Sequence, residues 1–124
     1  MKILILDDEP EKRQVEKELL ARYVKETDIL EAANKEDGLQ IIRKNSDLKL
    51  IILDMNFPED VGKIAMQKEG LKVLDEMERL NILIPVVICS SDPYRIVDHN
   101  VIGCVQFSYF MEADFLEIVK TVLN

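Results

Sequence analysis

Residues 3–9 read Ile-Leu-Ile-Leu-Asp-Asp-Glu, an apolar run of four that ends abruptly in three acids. A second run, Leu50–Leu53, ends in the same way at Asp54. Short Ile- and Leu-rich runs bounded by charge are typical of strands buried on both faces of a parallel sheet. Ligands of such sheets bind at the carboxyl ends of the strands. If the two strands are neighbours, Asp7, Asp8 and Asp54 converge on one spot, and their mutual repulsion calls for a cation between them.

The composition indicates a single globular domain. The chain has 124 residues, of which 48% are hydrophobic, and this favours a packed core over disorder. No apolar run reaches the ~18 residues that a membrane span requires, and the N-terminal apolar run is too short for a signal peptide. We therefore expect a cytoplasmic protein without a membrane partner. The net charge of −8 disfavours nucleic acid as a partner, because phosphate backbones favour basic surfaces.

Strands and helices are predicted to alternate five times along the chain. The predicted strands are Lys2–Leu6, Thr27–Ala32, Leu48–Leu53, Val86–Cys89 and Cys104–Ser108. Three of the predicted helices begin at Pro10, after a cap at Asn34 and at Gly70. Two more are predicted over roughly Tyr94–His99 and over Glu112–Leu123. This alternation predicts a parallel sheet that is covered by helices on both faces.

Two finer expectations follow from the same pattern. In the first helix, the spacing of apolar side chains predicts the face that packs on the sheet: Val15, Leu19, Leu20 and Tyr23. The two cysteines, Cys89 and Cys104, are expected near the end of one strand and the start of the next. That arrangement places them at opposite edges of the sheet and disfavours a disulfide.

Three motifs at strand ends then occur in a characteristic order. Asp7-Asp8 follows the first strand, Asp54 the third and Ser90-Ser91 the fourth, within the stretches ILILDDEP, LIILDMNFP and IPVVICSSD. In this order the motifs resemble those of the response-regulator receiver domain, and the resemblance covers the whole chain as one domain, residues 1–124. It implies an α/β, flavodoxin-like, doubly wound fold with five parallel strands in the order 2-1-3-4-5. It also implies a role in two-component signal transduction.

The resemblance implies a role for each matching residue. Asp54 would be the phosphate acceptor, a carboxylate that forms an aspartyl-phosphate. Asp8, and Asp7 more loosely or through water, would hold Mg²⁺ together with Asp54, and the backbone carbonyl of Asn56 would be a further ligand. Ser90 would donate its hydroxyl to a phosphoryl oxygen. The phosphoryl donor would be a phosphohistidine on a partner histidine kinase or phosphotransfer protein. The output would be a contact with an unknown protein, and no enzymatic activity beyond reactions at Asp54 itself is implied.

Each of these residues also has an ordinary structural interpretation. An Asp that follows a strand is often a helix cap, and Asp8 could cap the helix that begins near Pro10. Ser90 could equally be a loop residue or a cap. His99 is best interpreted as a solvated residue at a helix end, because nothing pairs it with a nucleophile. The receiver interpretation therefore depends on the three motifs occurring together.

One residue that the resemblance leads us to expect is missing. The family carries a Lys, usually followed by Pro, at the end of the fifth strand, where its ammonium contacts the phosphoryl group. This chain has no Lys between Lys72 and Lys120. Alignment from the last helix places Ser108 at this position, and alignment from Gly103 places Phe107 there. Neither alignment recovers a cation.

The aromatic switch of the family is altered as well. In the family this aromatic residue of the fifth strand turns inward when the Ser or Thr moves. The two alignments place Val105 or Cys104 at this position, and neither is aromatic. Phe107, Tyr109 and Phe110 lie just beyond and could substitute for it.

The stretch after the acceptor is longer than the family's. The family usually has a Gly about eight residues after the acceptor, and Gly62 has that spacing, but the apolar pattern resumes only after Gly70. We favour Gly70 as the family's glycine and residues 59–69 as an insertion. The insertion could form a lid beside Asp54 or be a tolerated surface segment.

Two alternatives to a phosphorylated receiver remain open. The missing Lys favours a pseudo-receiver, an interaction module that does not use phosphotransfer. A phosphatase or phosphotransferase is the other, because Asp54 and Asn56 loosely match the haloacid-dehalogenase nucleophile motif. That family prefers Asp at the second position and places the motif on its first strand, so this match is poor.

Overall fold

The main sheet has five parallel strands. A computed structural model describes residues 1–97 and 100–123 of the chain. The strands are β1 (Lys2–Leu6), β2 (Ile29–Ala32), β3 (Leu48–Leu53), β6 (Val86–Ser90) and β7 (Val101–Gln106). They are ordered β2-β1-β3-β6-β7, and every pair is parallel. Counted within the main sheet, this is the predicted order 2-1-3-4-5, and the predicted fold class is confirmed.

Within residues 1–97 and 100–123, four α-helices cover the sheet, two on each face. They are α1 (Pro10–Leu20), α2 (Lys35–Lys44), α3 (Glu69–Arg79) and α4 (Glu112–Leu123). Leu20 of α1 and Phe115 of α4 belong to one apolar cluster, and Leu39 of α2 and Val73 of α3 to the other. The sheet is thus doubly wound. None of the helices in the described part of the chain is long and apolar enough to span a membrane.

Local sequence signals explain where two of the helices begin. Pro10 occupies the first turn of α1, where its missing N–H costs no hydrogen bond. The side chain of Asn34 accepts a hydrogen bond from the backbone N–H of Asp37 at 2.9 Å, as predicted for an N-cap of α2. Both helices therefore start directly after strands of the main sheet.

Several predicted strand boundaries are wrong, and the fourth strand, for example, ends at Ser90 and not at Cys89. The second strand begins at Ile29, because Glu26–Asp28 forms a 3-10 turn. The last strand is Val101–Gln106 and not Cys104–Ser108. Gly103 lies inside this strand and packs closely on α4, where a Cβ would come within 2.6 Å of the Ile118 side chain. The prediction began the strand one residue after this glycine.

The predicted helix over roughly Tyr94–His99 is not confirmed. Residues 94–97 have no regular structure, and His99 lies outside the described residues. The segment after Pro93 is too short for a helix to be stable through intrinsic propensity alone.

A β-hairpin occupies the stretch for which no periodicity was recognised. Its strands, β4 (Phe57–Pro58) and β5 (Ala65–Met66), pair antiparallel. Phe57 is fully buried, whereas Val61 and Ile64 at the tip are mostly exposed. Two-residue strands are too short to show alternation, which is why the sequence did not predict them.

Both cysteines are free, which agrees with the predicted lack of a disulfide. The predicted reason is wrong, however. Cys104 lies in the middle of β7 beside Ile88, the neighbour of Cys89 in β6. The two thiols are kept apart because Cys89 packs in one apolar cluster and Cys104 against the other, on opposite faces of the sheet.

Candidate functional site

Four carboxylates meet at the carboxyl edge of the main sheet. Oxygens of Asp7, Asp8, Glu9 and Asp54 all lie within 4.8 Å of one another. Asp7 N donates to Ala32 O and Asp54 N donates to Leu6 O, each at 3.0 Å, so the strand pairing continues through both residues. The structure thus brings together the three predicted aspartates and adds Glu9. We call this group the acid pocket.

A lysine that the sequence analysis missed lies in the acid pocket. Lys12 Nζ is 3.1 Å from Asp7 Oδ2, 3.3 Å from Asp54 Oδ1 and 3.6 Å from Glu9 Oε2. Its side chain is only 5% exposed. A cation therefore separates the carboxylates, as their repulsion requires, but it comes from α1.

The position of Lys12 follows from the way α1 packs. The buried side chains of the helix are Lys12, Glu16 and Leu20, at four-residue spacing. Of the predicted face, Leu20 is fully buried, and Val15, Leu19 and Tyr23 pack against the same apolar cluster. The prediction thus found the apolar part of the buried face and missed its two charged members, Lys12 and Glu16.

The first turn of α1 is also fixed to the strand that precedes it. Arg13 donates a hydrogen bond from its Nη1 to the carbonyl of Asp7 at 2.8 Å. The backbone N–H of Glu9 donates to Asp7 Oδ1 at 2.9 Å. Asp7 therefore binds the start of the helix with one carboxylate oxygen and Lys12 with the other.

Burial dominates the electrostatics of the acid pocket. Burial, followed by the charge of Asp54, raises the pKa of Asp7 to about 7. The pKa of Asp54 is also raised by burial, an effect that Lys12 and then Ser90 partly offset. Although burial acts to lower it, the pKa of Lys12 is raised above its ordinary value by Asp7 and Asp54. The ammonium is thus protonated at neutral pH, and the pocket holds a permanent positive charge.

The two oxygens of Asp54 differ in their surroundings. Oδ1 accepts a hydrogen bond from Met55 N at 2.9 Å and also contacts Lys12. Oδ2 takes part in neither contact. Asp8 is half-buried, and burial followed by the charge of Asp54 raises its pKa. Among the described residues, Asp8 is not one of the ion-pair partners of Lys12.

Ser90 and Asn56 border the acid pocket from two sides. Ser90 ends β6 and is 1% exposed, and its hydroxyl lies close enough to the Asp54 carboxylate to lower the pKa of Asp54. The Asn56 side chain points elsewhere: its Oδ1 accepts from Lys68 N at 2.9 Å and from the Tyr94 hydroxyl at 3.3 Å. The predicted ligand of Asn56 is its backbone carbonyl, and these contacts leave that prediction open.

Phe107 occupies the wall where the sequence analysis looked for a lysine. Its backbone N–H donates to Ser90 O at 2.8 Å, so it continues the pairing of β7 with β6. Lys12 Nζ lies 5.4 Å from the centre of the Phe107 ring, within the range of a cation–π interaction. The alignment from Gly103, which places Phe107 at the position of the family's Lys and Cys104 at that of the aromatic switch, stays a prediction.

A second unpredicted titratable group lies on the same helix as Lys12. Glu16 is 1% exposed, and its carboxyl group lies next to the Cys89 thiol. Burial, partly offset by the neighbouring Cys89 thiol, raises its pKa to about 8. Glu16 is therefore mostly protonated and neutral at pH 7. Burial in turn raises the pKa of Cys89 strongly, so this thiol is unreactive.

Two glycines on the acceptor side have different surroundings. A Cβ on Gly70 would come within 2.5 Å of Asp54 O and of Met55 Cε, so only glycine fits this close approach. Gly62 lies at the hairpin tip with φ of +81° and nothing within 4 Å of its Cβ position. The packing of α3 against the acceptor strand therefore depends on Gly70.

Comparison with known families agrees with this geometry. The family model of the response regulator receiver domain matches residues 3–106, and the chain therefore belongs to this family. Receiver domains are signalling proteins of two-component systems that interact with histidine kinases and downstream targets, and they bind Mg²⁺ at an acidic pocket. Membership in this family disfavours the phosphatase alternative.

Relatives and solved structures with receiver-type descriptions are similar to the chain. A chemotaxis protein CheY homolog of Campylobacter jejuni is 35% identical over 68 residues, 55% of this chain and 52% of the relative. The probable C4-dicarboxylate response regulator DctR of Bacillus subtilis is 27% identical over 90 residues, 73% of this chain and 36% of the relative. The matches thus span about half or less of these relatives.

Two solved structures share the fold. The response regulator TrrA of Thermotoga maritima, solved in complex with Mg(2+)-BeF, superimposes with a TM-score of 0.76 at 27% identity. The alignment covers 99% of this chain and 100% of that one. The N-terminal domain of a response regulator/sensory box/GGDEF protein of Carboxydothermus hydrogenoformans has a TM-score of 0.76 at 20% identity, with 99% and 94% covered.

Proposed function

We propose that this chain is a receiver that accepts a phosphoryl group on Asp54 and signals through contacts with other proteins. The observation that carries the proposal is the position of the Asp54 carboxylate. It ends β3 within the acid pocket, and one oxygen, Oδ2, is outside the contacts that hold the other. A carboxylate fixed through one oxygen, with the other oxygen outside the contacts to Met55 and Lys12, suits a nucleophile.

The transfer is a substitution at phosphorus. An oxygen of Asp54 attacks the phosphorus of a phosphohistidine on a partner histidine kinase or phosphotransfer protein. The new O–P bond forms as the N–P bond breaks, and the bonding electron pair returns to the imidazole, which then takes up a proton. The product is an aspartyl-phosphate, and hydrolysis by water would restore the carboxylate.

The donor set of the acid pocket fits a hard divalent cation. Asp8 is half-buried and outside the ion pairs of Lys12, and its oxygens lie near those of Asp54 and Glu9. We propose that Asp8, Asp54 and the carbonyl of Asn56 hold Mg²⁺, with Asp7 acting more loosely or through water. Bound Mg²⁺ would offset the repulsion between the carboxylate and the incoming phosphoryl group.

Ser90 is suited to a contact with the phosphoryl group. Its hydroxyl is buried and lies close enough to the Asp54 carboxylate to lower the pKa of Asp54. A hydroxyl held beside the acceptor carboxylate can donate to an oxygen of the group that is transferred there. We propose that Ser90 donates to a phosphoryl oxygen.

The wider assignments belong to the same proposal. We interpret residues 1–124 as one receiver domain in which residues 59–69 are an insertion, because Gly70 and not Gly62 contacts the acceptor strand. We propose a cytoplasmic location. Catalysis would be limited to phosphorylation and dephosphorylation of Asp54.

Beryllofluoride, a mimic of the phosphoryl group on a carboxylate, tests the proposal. The protein should bind it in the presence of Mg²⁺, detected by ¹⁹F NMR of bound fluoride and by shifts in the ¹H–¹⁵N spectrum. Asp54→Asn should abolish this binding. Asp47→Asn, a change at an exposed aspartate that pairs with Lys2, should leave it intact. Failure of the wild-type protein to bind would contradict phosphotransfer.

A pseudo-receiver is the second candidate, and one observation favours it. Lys12 already neutralises part of the acid pocket, so the fold does not require Mg²⁺ to offset the repulsion there. In that case partner binding, measured by pull-down from the native host, would be the same for the wild type and Asp54→Asn.

A further inference from the structure

The acid pocket contains one cation, and its contacts are selective. Lys12 is the lysine or arginine that forms ion pairs with Asp7 and Asp54 among residues 1–97 and 100–123. It also lies 3.6 Å from the more exposed Glu9 carboxylate, and Asp8 is not among its ion-pair partners. Its charge thus lies beside the acceptor, while a second cation could still bind at Asp8.

The surroundings of Lys12 hold its ammonium in this place. Pro10 and the hydrogen bond from Arg13 to the Asp7 carbonyl fix the first turn of α1 on the end of β1. The Lys12 stem is buried, and the Phe107 ring lies over the ammonium. A charge-assisted contact of this kind is strong when it is shielded from water.

The negative charge of the acid pocket is large enough to balance both Lys12 and a bound divalent cation. Asp7, Asp8, Glu9 and Asp54 bring four negative charges when ionised, and Lys12 offsets one of them. A divalent cation would still leave the group negative. Replacing the Asp54 carboxylate by its more highly charged phosphoryl form would add negative charge next to Lys12 and strengthen the attraction.

We propose that Lys12 is the cation that contacts the phosphoryl group on Asp54. Lys12 would supply, from α1, the positive charge at the phosphoryl group, because the residue that follows β7 is Phe107 and not a cation. The inference rests on the proposed function above. Lys12 Nζ is 3.3 Å from Asp54 Oδ1, and an ammonium on a flexible stem has three donors that can turn from a carboxylate to a phosphoryl oxygen on the same side chain.

This role predicts effects of opposite sign for the two ligands of the pocket. In Lys12→Met, which keeps most of the apolar stem, Mg²⁺ should bind roughly 3- to 30-fold more tightly because a neighbouring positive charge is gone. Beryllofluoride, measured at saturating Mg²⁺, should bind roughly 10- to 100-fold more weakly because a charge-assisted contact is lost. Titrations followed by ¹H–¹⁵N and ¹⁹F NMR give both affinities.

Lys17→Met is the matched control. Lys17 lies on the same helix and pairs with Glu31 at 3.2 Å, outside the acid pocket. Its replacement should change neither affinity. The double variant Lys12→Met with Phe107→Lys returns a cation to the same spot from β7, since the Phe107 ring borders the ammonium. It should regain most of the lost beryllofluoride affinity.

The outcomes separate this inference from the proposed function. If the wild type and Lys12→Met bind beryllofluoride equally well, Lys12 is a counterion only and the inference is overturned, while phosphotransfer stands. If the wild type binds neither ligand and Lys12→Met binds Mg²⁺, Lys12 blocks the metal site and both proposals fail. Weak beryllofluoride binding by Lys12→Met that the double variant restores would support the inference.

Discussion

The two walls of the acid pocket have opposite chemistry. The wall made by the end of β1 and the start of α1 carries Asp7, Asp8 and Lys12, with Glu16 beneath it. The wall made by the end of β7 carries the aromatic ring of Phe107. Asp7, Asp8 and the cation Lys12 thus come from one short stretch of chain, while Asp54 follows β3. Most of the charge of the pocket therefore lies on the side of β1 and α1, and the residue after β7 contributes shape and shielding.

The energetic consequence of the comparison lies in what each wall loses on substitution. Removing one partner from a buried ion pair leaves the other charge uncompensated, and this costs more than the pair itself contributes. Removing part of an aromatic ring at a half-buried position costs mainly contact area. Substitutions in the wall formed by β1 and α1 should therefore lower the free energy of unfolding far more than substitutions in the wall at the end of β7.

The largest effect is expected for Lys12→Met in the absence of Mg²⁺. Asp7 and Asp54 would be left buried without a counterion, and the free energy of unfolding at pH 7 should fall by about 3 kcal/mol. Urea denaturation followed by circular dichroism measures this change. Added Mg²⁺ should recover part of it, because a ligand that binds only the folded state stabilises that state.

Lys17→Met provides the control for that measurement. It removes an ion pair with Glu31 nearer the surface, and the loss should stay below about 1 kcal/mol. Equal losses for the two variants would show that Lys12 is no more important to the fold than an ordinary surface lysine.

The second effect concerns Glu16 and depends on pH. Its pKa is raised from the ordinary 4.5 to about 8, so the folded state holds more protons than the unfolded state between these values. Stability from this group is full below pH 4.5 and is lost as pH rises through 8. Between pH 5 and pH 8, this group should lower the free energy of unfolding of the wild type by about 3 kcal/mol. Glu16→Gln should not show this loss, and urea denaturation at each pH measures it.

Glu11→Gln is the matched control on the same helix, because Glu11 is exposed. It should leave the pH dependence of the wild type unchanged. A Glu16→Gln variant with the wild-type slope would show that the pH response of the α1 wall arises elsewhere, with Asp7 as the leading candidate.

The smallest effect is expected on the other wall. Phe107→Leu keeps an apolar side chain and loses the ring that lies over Lys12, so the free energy of unfolding should change by less than about 1 kcal/mol. Thermal denaturation with Tyr109→Leu, at a more exposed ring, gives the comparison. If Phe107→Leu lowered the free energy of unfolding as much as Lys12→Met, the two walls would contribute equally to stability.

The fold was predictable because its strongest signals are local. Buried parallel strands are continuous apolar runs, and β1 and β3 end at the predicted residues for that reason. The cap at Asn34 and the last helix, Glu112–Leu123, were equally clear. The hairpin was not, since strands of two residues carry no periodicity, and the predicted last strand left out the first three residues of β7, 101–103.

The site was predictable only as far as it depends on strand ends. Asp7, Asp8, Asp54 and Ser90 follow apolar runs, and a parallel sheet brings such positions together. Lys12 and Glu16 belong to a helix, where charged residues at four-residue spacing normally face water. The signal that could have revealed Lys12 is the lack of a cation in the last strand, because a buried cluster of acids requires one from another element.

The Asn56 side chain has a mechanical consequence. Its amide is hydrogen-bonded to the backbone of Lys68 at the end of the hairpin and to Tyr94 and Asp92 in the segment after β6. Two surface segments that are far apart along the chain thus share one fixed point, two residues from Asp54. A shift of the backbone at residues 54–56 would therefore move the hairpin end and the segment after β6 together.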